Sequence, residues 1–123
     1  MFLNCSNHTS DHWTKEQIEA VHEMGETDIV DFLFPSVPGD ADEAQVCAIA
    51  EEVISKIKEW NPNIVMCQGE FTLTYILVNR LLAEGITVVA ASSARDTIEI
   101  VQSDGSVKKE SIYRFQRFRK YSA

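Results

Sequence analysis

Gly85-Ile86-Thr87-Val88-Val89-Ala90-Ala91 sets how the rest of the chain is read. Ile86–Ala91 shows no alternation of polar and apolar positions, as expected of a parallel strand covered on both faces. A parallel strand needs a crossover before it. The broadly apolar segment from Phe71 to about Ala83 reads as that helix, closed by Gly85, and Ile64–Cys67 before it reads as a second buried strand. Upstream, Val46, Ala50, Val53, Ile54, Ile57 and Trp60 recur at helical spacing and stop before Pro62, with Asp40 and Glu43 as the expected cap. Asp28–Phe34 reads as a strand ended by Pro35. Thr14 begins another helix, with Gln17 completing a capping box and Trp13 stapled to Ile18; Gly25 is its expected stop. Met1–Cys5 is a short apolar start that breaks at Ser6-Asn7-His8.

Downstream of Ala91, Ser92-Ser93-Ala94-Arg95-Asp96 reads as a loop. Ile98 to Gln102 then alternates with period two, Ser103-Asp104-Gly105-Ser106 is a hairpin turn, and Val107 to about Phe118 returns as a longer strand. The expected architecture is a single three-layer α/β domain over residues 1–123. Met1–Asn4, Asp31–Phe34, Ile64–Cys67 and Thr87–Ala91 form a four-stranded parallel sheet, with a 98–102/107–118 antiparallel C-terminal hairpin at one edge.

Composition narrows the class. The chain has 123 residues, 45% hydrophobic and 24% charged, and a net charge of −8. Duplex DNA is not an expected partner, because non-specific affinity for it comes from neutralising phosphates. The charge is unevenly spread: residues 108–120 carry +5 and the remainder −13. No run reaches the length of a membrane helix, and Met1–Cys5 is too short for a signal peptide. Cys5, Cys47 and Cys67 have neither disulfide-framework nor zinc spacing, so reduced thiols and a cytoplasmic location are expected, with no metal site and no cofactor.

Ligands of such sheets bind beyond the carboxyl ends of the strands, where strand order reverses. Three segments meet that condition if the first and third strands are neighbours: Asn4–His8, Gln68–Thr72 and Ser92–Arg95. Gly69, at a strand end opening into a helix, either brings backbone amides up to an anion or makes a tight turn. Glu70 is either a catalytic carboxylate or a stabiliser of the helix N-terminus. Thr72 and Thr74 offer hydroxyls, with Tyr75 one turn on. His8 is a general acid–base candidate or a solvated loop histidine, while His12 and His22 read as surface residues. Arg95 offers a fork for phosphate oxygens or is merely solvated. Cys5 and Cys67 read as small buried hydrophobes.

Together, Cys67-Gln68-Gly69-Glu70-Phe71-Thr72-Leu73-Thr74-Tyr75, Asn79-Arg80-Leu81, Ala91-Ser92-Ser93-Ala94-Arg95 and Arg117-Phe118-Arg119-Lys120-Tyr121 resemble the small stand-alone CRISPR-associated proteins with a CARF-like Rossmann fold, including the type III ring nucleases. The resemblance covers the middle and C-terminal half. In the N-terminal half it is confined to a short strand ending in a polar loop. It implies a homodimer that binds a cyclic oligoadenylate, with cyclic tetra-adenylate the expected ring, and cuts it without metal through attack of a ribose 2′-hydroxyl on the adjacent phosphorus. On that reading the backbone of Gly69–Phe71, Thr72 and Arg95 hold phosphate. Asn7 and Gln68 orient ribose or adenine, and Glu70, Tyr75 and Ser92 complete the ligand contacts. His8 transfers the proton, and Ser6 or Ser93 donates to the developing charge. The alternatives are a sensor that binds the ring without cutting it and a subunit-interaction protein without a ligand.

Overall fold

Phe2–Ser6 (β1) lies inside the sheet, with all five side chains buried. The computed structural model describes residues 1–122. After β1 a short 3₁₀ turn, Ser10–His12, leads into helix α1 (Lys15–Glu23) and strand β2 (Ile29–Leu33). Helix α2 (Glu43–Trp60), β3 (Ile64–Cys67), α3 (Phe71–Ala83), β4 (Thr87–Val101) and β5 (Val107–Lys120) follow. The five strands form one mixed sheet in the order β2-β1-β3-β4-β5. β2, β1, β3 and β4 are parallel, and β5 runs antiparallel to β4. Strand order therefore reverses between β1 and β3.

Alternate side chains feed two cores. Leu3, Cys5, Val65, Cys67 and Val88 pack under α2 and α3, while Phe2, Ile64, Met66, Val89 and Phe118 pack with Val21 and Trp13 on the α1 side. This alternation at period two, buried on both faces, accounts for the unbroken apolar runs of β1 and β3.

Local signals hold in several places. Thr14 Oγ1 accepts the Gln17 amide at 3.3 Å, and Gly25 follows α1 with φ of 89°. Helix α3 spans the expected residues. Helix α2 is capped by Asp42, not Asp40: Gln45 N donates to Asp42 and Asp42 N donates to the Gln45 side chain, both at 2.8 Å. Asn61, at φ of 50°, ends α2 ahead of Pro62.

The principal correction is at Ser92–Arg95, which belong to β4 and not to a loop. The parallel strand and the first arm of the hairpin are one 15-residue strand, paired with β5 from Val89–Lys120 to Val101–Val107. Pairing with β5 supplies the backbone partners that a polar segment would otherwise take from water. A register shift between Ser92 and Ser93 skips Gln116 and marks a β-bulge where the ribbon leaves the sheet. β1 reaches Ser6, beyond the expected Asn4, and β2 is Ile29–Leu33, leaving Phe34 just outside it.

Candidate functional site

The carboxyl edge at the β1/β3 reversal opens into a cavity of about 450 Å³. Ser6, Asn7 and His8 reach it from the end of β1, Met66, Gln68 and Gly69 from β3, and Ala91 and Ser93 from β4. His12, Trp13 and Gln17 close the α1 side. Two imidazoles, two serine hydroxyls and three carboxamides thus share one space, and none of its lining residues is acidic, lysine or arginine.

A polar clip builds the wall from β1 outward. Asn4, 1% exposed, donates through Nδ2 to the His8 carbonyl at 2.7 Å and to Asp31 at 2.9 Å. Ser6 Oγ donates to Asn4 Oδ1 at 2.6 Å and accepts the His8 amide at 3.3 Å. Asp31, on the neighbouring strand β2, also accepts from Ser10 N and Ser10 Oγ, each at 3.0 Å. Every polar atom of the Asn4 side chain is satisfied, so burying this amide costs little and fixes the loop after β1. The Ser6 hydroxyl is spent on that clip.

Gln68 is similarly engaged. Its Oε1 accepts Ala91 N at 2.7 Å and its Nε2 donates to Ala91 O at 3.4 Å, tying the chain to β4 two positions beyond the Met66–Val89 pair. Gly69 is required by packing: a Cβ there would lie 2.5 Å from the Phe34 ring. Gly69→Ala is therefore expected to cost roughly 1–3 kcal/mol through overpacking. Denaturant unfolding of the single variant and of Gly69→Ala/Phe34→Ala checks this, since the steric part should vanish in the pair. A full additive loss in the double variant would contradict it.

Glu70 is the N-cap of α3. Its carboxylate accepts Thr72 N at 3.0 Å, Leu73 N at 2.8 Å and the Thr72 hydroxyl at 2.7 Å. The Leu73 amide, then the Thr72 amide and hydroxyl, hold the Glu70 carboxyl below the usual carboxylate range. The chain thus carries its own anion where an incoming phosphate would meet the first amides of α3. A depressed folded-state pKa means that this contribution is present above the ordinary carboxylate range and is lost as pH falls through the depressed value. Glu70→Ala should accordingly lower Tm at neutral pH, with the gap to wild type closing in acid; a gap independent of pH would refute the capping role.

Six expected site residues, Ser6, Asn7, His8, Gln68, Gly69 and Ser93, are brought together, and the others are not. Phe71 and Tyr75 point outward from α3, 89% and 73% exposed, beside a separate groove that Tyr121 also lines. Thr72 faces α2 at Asp42 and Val46. Ser92 alternates to the sheet face opposite Ser93. Arg95 lies on the ribbon opposite Tyr113, its Nε donating to Ser111 Oγ at 3.0 Å. Cys5 and Cys67 are fully buried register neighbours, and hydrogen bonding to Cys5, then burial, pushes the Cys67 thiol upward, which holds it neutral. Sequence reasoning missed His12, Trp13 and Gln17. The available signal was the length of the polar segment after β1: it starts at the carboxyl edge and must stay there until α1 begins.

Among the described residues no group of three or more His, Cys, Asp or Glu side chains is arranged to hold a metal ion, and no helix is long and apolar enough to cross a membrane. No curated protein and no solved structure matches the sequence. A family model does match, over residues 1–119: that of the Uncharacterized protein MJ1673 family.

Proposed function

The chain belongs to the MJ1673 family, and from the geometry of its cavity we propose that it is a metal-independent ring nuclease that binds and opens a cyclic oligoadenylate, cyclic tetra-adenylate first among them, to end type III CRISPR signalling. One observation carries this reading: the cavity at the strand-order reversal presents imidazoles, a hydroxyl and amides without a carboxylate, lysine or arginine in its lining. That set suits a substrate bringing its own nucleophile, the ribose 2′-hydroxyl, so that the protein supplies positioning, proton transfer and neutral donors. The order 2-1-3-4 of the parallel strands matches that part of the flavodoxin-like doubly wound order, with β5 added antiparallel at the edge, and supports the Rossmann-like, CARF-like reading.

His8 transfers the proton, Ser93 and Asn7 donate to phosphate and ribose, and Trp13 offers a face to adenine. Ser6 and Gln68 shape the wall through their internal hydrogen bonds. A cavity of about 450 Å³ holds a portion of a four-nucleotide ring and not the whole, so two copies about a two-fold axis would share the ligand, which makes the homodimer part of the proposal. The free thiols of Cys5, Cys47 and Cys67 fit a cytoplasmic setting.

The test is incubation of purified protein with cyclic tetra-adenylate in EDTA. Linear products ending in a 2′,3′-cyclic phosphate support the nuclease. Binding without turnover supports the sensor, whose onward contact would be the exposed Phe71 and Tyr75 of α3. Absence of binding overturns both and leaves the subunit-interaction reading.

A further inference from the structure

We propose that His12 is the second proton-transfer residue of the cavity, acting as general acid opposite His8, and that Asp31 positions both through the loop that carries them. This rests on the ring-nuclease reading and deepens it. Transesterification by an internal hydroxyl needs two proton transfers, and the cavity is lined by two imidazoles. They sit at the two ends of the segment 8–12, the segment the buried clip holds. Asn4 Nδ2 grips the His8 carbonyl at one end, and Asp31 grips Ser10 by both its amide and its hydroxyl near the other. A fully satisfied buried asparagine joined to a carboxylate and a serine gives fixed geometry to whatever the turn carries.

The groups facing the two histidines are few. Asp11 Oδ1 lies 3.9 Å from His12 Nε2 and provides a counter-charge for an imidazolium there. Thr9, which donates its hydroxyl to Asp11, and then His12 hold the Asp11 carboxyl below its ordinary value. From β2, Asp31 is the carboxylate behind the turn, its oxygens bonded to Asn4 and Ser10. Trp13, just ahead of α1, and Gln17 of α1 bring no charge to the cavity, and β3 and β4 contribute no charged group to it. With Asp11 beside it, His12 takes the donor role in this proposal and His8 the acceptor role.

The step balances. His8 takes the proton as the 2′-O–H bond breaks and the 2′-oxygen bonds to phosphorus. The P–O5′ bond breaks, its electron pair goes to O5′, and His12 delivers a proton there. The products are a 2′,3′-cyclic phosphate and a 5′-hydroxyl, with His8 charged and His12 neutral until solvent exchange resets them.

The experiment measures kcat and KM for cyclic tetra-adenylate between pH 5 and 9 in EDTA for wild type, His12→Gln, Asp31→Ala and the control His22→Gln, which changes an exposed histidine of α1 outside the cavity. Wild type should give a bell-shaped profile. His12→Gln should lower kcat by roughly 10²–10⁴-fold with KM nearly constant and should abolish the alkaline limb, where a donor loses its proton. Asp31→Ala should lower kcat while keeping both limbs, and His22→Gln should match wild type. A wild-type rate and intact alkaline limb in His12→Gln would overturn the acid role while the nuclease reading stands. A wild-type protein that leaves the ring uncut would overturn the nuclease reading and this inference together.

Discussion

On the ring-nuclease proposal, His8→Ala is expected to slow opening of cyclic tetra-adenylate by about 10²–10⁴-fold, the usual contribution of a general acid–base group, with ligand affinity changed only a few-fold. The clip explains why the two quantities separate. Asn4 and Ser6 bond to the backbone carbonyl and amide of His8, so the loop keeps its course when the imidazole is removed, and Asn7, Trp13 and Ser93 remain around the ligand. The exposed His8 side chain packs little, which leaves folding nearly unaffected. Single-turnover cleavage in EDTA alongside equilibrium binding reads both numbers. If the variant cleaves at the wild-type rate, His8 transfers no proton in the step. If binding collapses as well, its role is contact and not proton transfer.

Phe2→Ala is expected to be the most destabilising of the single substitutions considered, at roughly 3–5 kcal/mol. Phe2 is fully buried between two aromatic neighbours: Trp13, with ring centroids 6.0 Å apart at 87°, and Phe118 at 5.3 Å. Removing it opens a cavity in the smaller core, where few side chains are available to collapse inward. Domains of this kind typically have about 5–15 kcal/mol in total, so a midpoint shift of that size in denaturant is large. The change also reaches the site, because Trp13, which lines the cavity, packs against Phe2. Ligand affinity should therefore fall even where the variant is folded. The contrasting variant is Phe71→Ala, the same chemical change at an 89% exposed position, for which a shift within about 0.5 kcal/mol is expected. Comparable losses in the two variants would mean that the α1-side core is not organised around Phe2.

The site was partly legible because its geometry follows from topology. An unalternating Ile64–Cys67, a helix closed at Gly85 and a second buried strand at Thr87 point to β3 in the sheet interior, and its place next to β1, a condition in the sequence that the structure meets, opens a crevice at their carboxyl ends. Ser6, Asn7, His8, Gln68 and Gly69 follow from that alone. What failed was the assignment of partners. Gly69 has the look of an anion-binding turn, yet the constraint on it is a phenyl ring just past β2, 35 positions earlier in the chain. Glu70 satisfies the α3 amides that a phosphate was expected to meet, and Gln68 spends its amide on Ala91.

Residue order was enough to specify the α/β class, the extents of β3 and α3, and the turn at Asp104-Gly105, because these depend on signals within a few residues: apolar runs, capping side chains and glycine at positive φ. The continuation of β4 through Ser92–Arg95 was settled by tertiary structure, since a polar segment becomes strand only when β5, returning from beyond the turn, pairs with it. The same holds for the cavity wall. Whether Asn4, Ser6 or Asp31 faces ligand or a neighbour depends on which competing partner folding brings nearest, and a hydrogen bond to a chain-distant group leaves no local trace in the sequence.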